Sequence, residues 1–358
     1  MGLVWLLVGL AGLAGLVFWG IPLFLAEYFP WRYLQRQRLG RPVVTTKSYA
    51  GRTALITGAN GAFGSRAAKL FAERDIDTLV LVDLNDCDGV KKDIEKARRD
   101  AGKPVPKIHV WQIDMMSYAG AESLAEKARA LPHIDHVLLT AGILAFKTRK
   151  SPEGWESSVQ VNYLSTALIS LLLLPLLKSS PGNPNPPVLT FVTTFGIFPS
   201  SFTMGLPNVG SYLRKMSTAH GDMAQAHQYG RSKALLLYFA RELAARVSAT
   251  GRRVTVTSAD PGSAWTGLTG PNKDKLIPRL IMNFGAREPL ICATALVNGV
   301  SADADGHGKI LHDFEAVGYP PFMERQSGRR AGERVWQETK MEFVEKVEGV
   351  KEVYELLE

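Results

Sequence analysis

The feature that most constrains this 358-residue chain is a glycine-rich stretch, residues 51–64 (GRTALITGANGAFG). Residues 54–56 predict a short buried strand, and residues 57–64 predict a turn that opens a helix over residues 65–73. A helix N-terminus presents unpaired N–H groups and partial positive charge, so this turn can hold a pyrophosphate against the backbone. The order strand, turn, helix therefore predicts a dinucleotide site, with an ordinary glycine-rich loop as the alternative.

Apolar runs and helical patterns alternate after this stretch, which indicates a parallel sheet covered by helices on both faces. Further strands are predicted at residues 78–82, 108–113, 136–139, 188–192, 254–258 and near 309–311. Helices are predicted at residues 86–102, 155–178, 229–248 and 289–300, and the apolar run inside the second is too short to span a membrane. The predicted fold class is α/β, a Rossmann-type doubly wound parallel sheet with an N-terminal transmembrane helix and a C-terminal helical tail.

The apolar N-terminus predicts a membrane anchor. Residues 2–26 carry no charged side chain, and at about 1.5 Å per residue they exceed the roughly 30 Å of a bilayer core. Aromatic and then basic residues follow, so we expect a single-pass helix with the rest of the chain in the cytosol. A hairpin or monotopic insertion assisted by Pro22 and a cleaved signal peptide are the alternatives.

Four segments follow from these patterns. They are a transmembrane anchor (1–27), a basic juxtamembrane linker (28–50), a catalytic domain (51–315) and a C-terminal helical extension (316–358). Within the third, residues 195–228 are a long insertion that we expect in the substrate-side wall, and residues 263–285 are expected to form a flap.

Charge and cysteine usage exclude several classes of partner. The net charge is +8, and residues 28–52 hold six basic residues and no acidic one, directly after the apolar run. This placement indicates a membrane surface rather than nucleic acid, for which no motif is present. Cys87 and Cys292 lie far apart without metal-ligand spacing, so we expect no metal site and a reducing compartment.

Polar and small residues follow the predicted strands. Asp83 comes some 20 residues after the glycines, where a carboxylate accepts hydrogen bonds from a ribose and repels a 2′-phosphate, so NAD is favoured and NADP stays open. Asp114 is equally consistent with a contact to the adenine edge and with a helix cap. Ala141 and Gly142 form a turn that lets the backbone pass close to a cofactor.

Two polar residues share one helix face, because Tyr229 and Lys233 are four positions apart. An ammonium beside a phenol lowers the pKa of the phenol, which predicts Tyr229 as a general acid or base with a lowered pKa. The Thr194 hydroxyl is a candidate to hold the substrate oxygen, and Asn162 to order a water that connects the lysine to solvent. Each residue taken singly also has an ordinary structural interpretation. Tyr229 and Lys233 would be a surface helix pair, Thr194 a threonine at a strand end, and Asn162 a core amide with its hydrogen bonds satisfied.

Together these residues resemble the short-chain dehydrogenase/reductase family over roughly residues 51–311. The resemblance implies a catalytic tetrad of Asn162, Thr194, Tyr229 and Lys233. It also implies a set of cofactor-binding residues, which are Gly58, Asn60, Gly61, Ala62, Phe63, Gly64, Asp83, Asp114, Ala141, Gly142, Tyr229, Lys233, Pro261, Gly262 and Thr266.

Three positions depart from the family pattern. Ala62 replaces the middle glycine of the compact branch, and the glycine spacing fits the extended branch that includes sugar-nucleotide epimerases. The compact branch is preferred because only 125 residues follow Lys233. Thr194 stands in place of serine, and its methyl group crowds the site. Thr140 replaces asparagine, which we interpret as a matter of stability rather than chemistry.

The expected function is an NAD(P)-dependent oxidoreductase that interconverts an alcohol and its carbonyl on a lipophilic small molecule. The anchor and the insertion are similar to the microsomal branch acting on retinoids, steroids and other apolar compounds, which also implies the endoplasmic reticulum. Fatty-acyl and secondary-metabolite-like compounds fall in the same class. The alternatives are a non-catalytic dinucleotide-binding sensor or scaffold and an extended-type enzyme acting on a nucleotide sugar.

The C-terminal tail carries a narrow apolar stripe on a helix that is otherwise charged. The stripe comprises Phe343, Val347, Val350, Tyr354 and Leu357. We expect it to pack against its own domain, with a dimer seam or a membrane-surface contact as the alternatives. The dimer seam would make the protein a homo-oligomer.

Overall fold

The computed structural model describes residues 40, 45–145, 147, 149–194, 197, 210–218, 224–268, 286–302, 304–313 and 315–358. The predicted membrane anchor and most of the basic linker lie outside the described residues, as do residues 269–285 of the expected flap.

Within the described residues, eight strands form one sheet. They are β1 Thr53–Thr57, β2 Thr78–Asp83, β3 Lys107–Gln112, β4 His136–Leu139, β5 Val188–Val192, β6 Thr255–Asp260, β7 Ile310–His312 and β8 Glu315–Val317. The helices are α1 Gly64–Glu73, α2 Asp88–Asp100, α3 Tyr118–Ala128, α4 Ser157–Leu176, α5 Tyr212–Met216, α6 Ala224–Ala249, α7 Pro289–Val300, α8 Pro321–Glu324, α9 Gln326–Lys346 and α10 Val350–Glu355.

The strand order is β3-β2-β1-β4-β5-β6-β7-β8, which confirms the Rossmann-type sheet. The first seven strands are parallel, and only β8, which the sequence did not predict, runs antiparallel to its neighbour β7. The chain order reverses between β1 and β4, whose ends pair through Thr57 and Leu139. Open parallel sheets bind ligands at the carboxyl ends of the strands at such a switch point.

Two hydrophobic cores cover the two faces of the sheet, because successive strand residues point to opposite sides. Leu55 and Val137 face one core, to which α3, α4 and α6 contribute. Ile56 and Leu138 face the other, to which α1, α2 and α7 contribute. Every residue of β1 is buried, as expected for a central strand of a parallel sheet.

Helix α4 is a core helix with an irregular turn. Within the described part of the chain it is the one helix long and apolar enough to cross a membrane, yet 83% of its apolar window is buried inside the protein. This agrees with the predicted core helix. The sequence predicted one regular helix, but residues Gln160–Ser165 form a π-helical turn and Leu174–Leu176 a 3-10 turn. Such turns inside α-helices are frequent at functional sites.

The C-terminal stripe is buried throughout, which confirms packing against its own domain. Helix α9 lies on α6, where the Trp336 ring stacks on Phe239 at 5.3 Å, and Phe343 meets Tyr118 edge-on at 5.4 Å. The tail is two helices rather than one, because the chain is extended at Val347 (φ −127°, ψ 122°), directly after α9 ends, and the left-handed Gly349 (φ 75°) then precedes α10.

A buried histidine predicts how stability depends on pH. Burial lowers the pKa of the His136 imidazole, although the Asp135 carboxylate beside it raises that pKa. Below about pH 6.5 the unfolded chain binds the proton that the folded protein excludes, so stability is lost as pH falls. We expect His136→Leu to reduce this loss by up to about 1.4 kcal/mol per pH unit.

Urea unfolding of both proteins between about pH 4.5 and 7 measures this difference. The variant keeps Asp135, whose lowered pKa also costs stability in acid, so a residual slope is expected. Identical slopes for the two proteins would show that His136 does not control acid sensitivity.

Candidate active site

The glycine turn connects β1 to α1 at the carboxyl edge of the sheet. Gly58 has a φ of 67°, and a Cβ there would lie 2.9 Å from the backbone nitrogen and Cα of Ala141. The Ala59 amide donates to the Val82 carbonyl at 3.1 Å, which ties the turn to β2. Asn60 and Gly61 are exposed, so the turn opens to solvent in front of the N-terminus of α1.

Asp83 and Asp114 end two neighbouring strands of this edge. One Asp83 oxygen accepts a hydrogen bond from the Asn60 amide at 3.0 Å, and the other accepts from the Asn85 amide at 3.1 Å. Asp114 is exposed and accepts from the Met116 amide at 2.8 Å. It is not the helix cap that was one of its two interpretations, because Ser117 caps α3 instead.

The turn after β4 lies across the end of β1. The Thr140 hydroxyl donates to the Thr57 carbonyl, and the Ala141 amide donates to the Thr57 hydroxyl at 3.2 Å. Thr140 therefore stabilises the turn, as the sequence interpretation held. A Cβ on Gly142 would lie 3.2 Å from Asn162 Oδ1 and 3.6 Å from Lys233 Nζ, so a glycine here lets the turn approach both side chains.

Asn162 joins three parts of the site. Its side-chain oxygen accepts from the Ile143 amide at 2.7 Å, and its nitrogen donates to the Ile143 carbonyl at 2.9 Å and to the Ser232 hydroxyl at 3.0 Å. Ser232 in turn donates to the Tyr229 carbonyl at 2.8 Å. The amide is thus a satisfied core group that fixes the β4 turn against α6, and its predicted water-ordering role stays a prediction.

Lys233 lies under the site. Its side chain is buried, and the ammonium donates to the carbonyl of Val192, the last residue of β5, at 2.9 Å. Burial lowers the pKa of Lys233 to about 8. The group is therefore about nine-tenths protonated at pH 7, and small changes in its surroundings shift the pH range over which it loses its charge.

Tyr229 corrects one prediction. Burial raises the pKa of its phenol, and the Asp260 carboxylate raises it further. The sequence analysis predicted a lowered pKa through Lys233. The predicted direction was wrong. The cost of burying a phenolate raises the pKa of Tyr229 more than the charge of Lys233 lowers it, and the Lys233 ammonium donates to the Val192 carbonyl of β5.

Asp260 is a residue of this site to which the sequence pattern alone gave no role. It is buried at the carboxyl end of β6 and accepts from the Gly262 amide at 2.9 Å. The signal that identifies it is its position, an acidic residue directly before the Pro261–Gly262 pair. Thr266, further along, accepts from the Leu268 amide at 3.2 Å.

Thr194 lies where the sequence predicted it, just beyond the carboxyl end of β5, and is partly exposed. Its neighbour Thr193 is buried, and the Thr193 hydroxyl has no hydrogen-bond partner among the described residues. The glycine turn, Asp83, Gly142, Thr194 and Tyr229 thus all belong to the carboxyl edge of the sheet, or to the helix behind it.

Comparison with known proteins agrees with this geometry. A family model described as short chain dehydrogenase matches residues 52–183. The chain is 30% identical over 314 residues to the short chain dehydrogenase rstn4 of Aspergillus nomiae, which covers 83% of this chain and 81% of that protein. The protein belongs to the short-chain dehydrogenase/reductase family. It is therefore an oxidoreductase, as the sequence predicted.

Other relatives of this short-chain dehydrogenase/reductase give the same result. It is 29% identical over 351 residues to the short chain dehydrogenase/reductase mfmJ of Annulohypoxylon moriforme, covering 90% of this chain and 94% of that one. Among solved structures, a protein from Mycobacterium paratuberculosis superimposes with a TM-score of 0.61 at 18% identity, over 84% of this chain and 97% of its own. The Pseudomonas aeruginosa RhlG/NADP complex superimposes with a TM-score of 0.51 at 21% sequence identity, over 74% of this chain and 95% of its own. The structural matches show a shared fold.

The close approach of the glycine turn to Ala141 generates a stability prediction. We expect Gly58→Ala to lower the free energy of unfolding by about 1–3 kcal/mol, because its Cβ would overlap the β4 turn and its φ is positive. Gly89→Ala in α2 is the matched control, since its Cβ would meet nothing within 4 Å.

Denaturant unfolding of the two variants beside the wild type measures the difference. Equal stability of Gly58→Ala and Gly89→Ala would contradict the tight contact between the glycine turn and Ala141.

Proposed function

We propose that this short-chain dehydrogenase/reductase interconverts a lipophilic alcohol and its carbonyl compound, with NAD as hydride acceptor or donor and Tyr229 as the acid or base. The observation that carries the proposal is the hydrogen-bonded chain from Ile143 through Asn162 and Ser232 to the Tyr229 backbone. This chain places the phenol-bearing helix beside the turn that faces the switch point of the sheet.

The residues present fit a dinucleotide. The glycine turn is exposed in front of a helix N-terminus, where backbone N–H groups can receive a pyrophosphate. Asp83 is partly exposed at the end of β2, and its carboxylate favours ribose hydroxyls over a 2′-phosphate. Asp114, Ala141, Gly142, Pro261, Gly262 and Thr266 complete the proposed lining. These features support NAD, with NADP as the alternative.

Bound nicotinamide supplies the hydride or accepts it, and the chain's own residues control the proton. Because burial and Asp260 raise the pKa of Tyr229, the phenol is protonated at neutral pH and is ready to donate to the oxygen of a carbonyl substrate. Thr194 at the end of β5 is placed to hold that oxygen. In the opposite direction Tyr229 must first lose its proton, so alcohol oxidation is favoured by higher pH.

Lys233 is proposed to stabilise the charge that Tyr229 acquires when it gives up its proton. Its pKa of about 8 keeps much of its side chain charged at neutral pH, and a positive charge one helical turn away stabilises a phenolate as it forms. The ammonium donates to the Val192 carbonyl at 2.9 Å, which fixes its position at the end of β5.

The proposed substrate is lipophilic and the proposed location is a membrane. Support comes from the 25 uncharged residues 2–26 and the basic cluster after them, which favour a single-pass anchor with the catalytic domain in the cytosol. The endoplasmic reticulum is the proposed membrane, and an enzyme anchored there meets apolar alcohols and ketones where they partition.

The role of Tyr229 is tested by removing its hydroxyl. We expect Tyr229→Phe to lower kcat at least about 10³-fold while NADH affinity stays within about twofold, because only the proton donor is lost. Tyr238→Phe, a buried tyrosine on the same helix, is the control and keeps activity. Turnover is measured as NADH oxidation with decan-2-one, retinal and a 17-ketosteroid.

Two outcomes oppose the proposal in different ways. Wild-type activity in Tyr229→Phe would mean that another group moves the proton. NADH binding with no consumption by the wild type, over the whole panel of carbonyl compounds, would favour the non-catalytic sensor or scaffold instead, for which Thr194 in place of serine is the motivation.

Cofactor choice is tested at Asp83. We expect Asp83→Ala to shift the ratio of kcat/KM for NADH over NADPH toward NADPH by about tenfold or more, because the carboxylate no longer repels a 2′-phosphate. Asp86→Ala, an exposed acidic residue just beyond the strand, is the control. A wild type that already prefers NADPH would contradict the assignment of NAD.

A further inference from the structure

The C-terminal extension makes a specific polar contact with the segment that leads to the catalytic helix. Glu338 of α9 accepts hydrogen bonds from the Ser211 hydroxyl at 2.7 Å and from the Tyr212 and Leu213 amides, each at 2.9 Å. Ser211 is the N-cap of α5, and Tyr212 and Leu213 are its first two residues. The carboxylate therefore fixes one end of that short helix.

The surroundings of the Glu338 carboxylate hold it in place and keep it charged. Its side chain is 11% exposed, and Arg334 on the preceding turn donates to it at 2.7 Å and also to the Gly210 carbonyl. Burial alone raises the pKa of Glu338, but the hydrogen bonds from the Leu213 and Tyr212 amides and from Arg334 lower it below its usual value. The residue is thus a charged acceptor over the working pH range.

Helix α9 is a fixed reference for α5, because other residues attach it to the domain. Glu342, one turn after Glu338, accepts from the Tyr118 hydroxyl at 2.9 Å and from the Trp155 indole at 2.7 Å. Trp336 stacks on Phe239 of α6. The helix is therefore attached on both sides of Glu338 by groups outside α5, although the Arg214 guanidinium of α5 lies 3.7 Å from the centre of the Trp155 ring.

The segment held by Glu338 also contacts two residues close to Tyr229 in the sequence, one on each side of it. The Gln228 side chain donates to the Met216 carbonyl at 2.7 Å, and Arg231 donates to the Thr218 carbonyl at 3.3 Å. The Ser217 hydroxyl accepts from the Glu156 amide, just before α4. Helix α5 is thus held between α9 and the start of the helix that carries Tyr229.

We propose that Glu338 is a positioning residue for the substrate side of the active site. It holds α5, which belongs to the insertion between β5 and α6, at a fixed position beside the start of the helix that carries Tyr229. The inference rests on the proposed function, since positioning matters only if a substrate enters beside Tyr229. Through this contact the C-terminal extension is part of the enzyme's substrate specificity.

The test compares Glu338→Gln with Glu342→Gln. Both carboxylates are on α9 and both side chains are 11% exposed, but only Glu338 contacts α5. We expect Glu338→Gln to raise KM about tenfold for the most active carbonyl compound among decan-2-one, retinal and a 17-ketosteroid. The kcat and the affinity for NADH stay within about twofold. Glu342→Gln lowers the Tm and leaves KM within about twofold.

A second measurement does not depend on turnover. Amide hydrogen exchange of peptides covering residues 210–218 is expected to be at least about tenfold faster in Glu338→Gln and unchanged in Glu342→Gln. Unchanged exchange and unchanged KM in Glu338→Gln overturn the inference, and so does an equal rise in KM in both variants, which would indicate a general effect of helix docking.

The two proposals fail in distinguishable ways. If the wild type consumes NADH with none of the three carbonyl compounds, the proposed function is wrong. Hydrogen exchange then still decides whether Glu338 holds α5. If the wild type is active and only the Glu338 results are negative, the proposed function stands without the positioning role.

Discussion

The active site depends on one amide. Asn162 bonds to both backbone groups of Ile143 and to the Ser232 hydroxyl, and this joins the turn after β4 to the helix that carries Tyr229 and Lys233. The Asn162 side chain is buried, where an unpaired amide would cost about 1–3 kcal/mol, so separation of these parts is unfavourable. Gly142 is what allows the approach, because it leaves room beside both Asn162 and Lys233.

The electrostatics of the site follow from burial rather than from the tyrosine and lysine alone. Desolvation raises the pKa of the Tyr229 phenol and lowers the pKa of the Lys233 ammonium, so both groups are pushed toward their neutral forms. Asp260 adds to the first effect. A protonated phenol beside a readily neutralised amine suits the donation of a proton, which is the step that reduction of a carbonyl requires.

Much of the fold was predictable because it depends on local pattern. The bounds of β4, β5 and α7 agree with the sequence prediction to the residue, since buried parallel strands and apolar helices give continuous signals. The π-helical turn in α4 was not predictable, because the partners of Asn162 come from distant parts of the chain. Strand β8 was missed because it is three exposed or partly exposed residues with no alternation.

In the candidate site, too, the sequence predicted features that depend on nearby residues and missed those that depend on distant ones. Spacing alone identified Tyr229, Lys233 and the glycine turn, which are close in sequence. The role of Asp260 and the direction of the pKa of Tyr229 depend on which groups surround them in three dimensions. The contact between Glu338 and α5 spans more than 120 residues, and a single glutamate on a charged helix gives no sequence signal.

The π-helical turn has a consequence for how this chain tolerates insertions and deletions. A π-helical turn holds one residue more than an α-helical turn, so removal of one residue between 160 and 165 would leave a regular α-helical turn with the flanking segments of α4 in place. The leucine-rich half would keep its place in the core. Asn162 would swing away from Ile143, and a folded, inert protein would result.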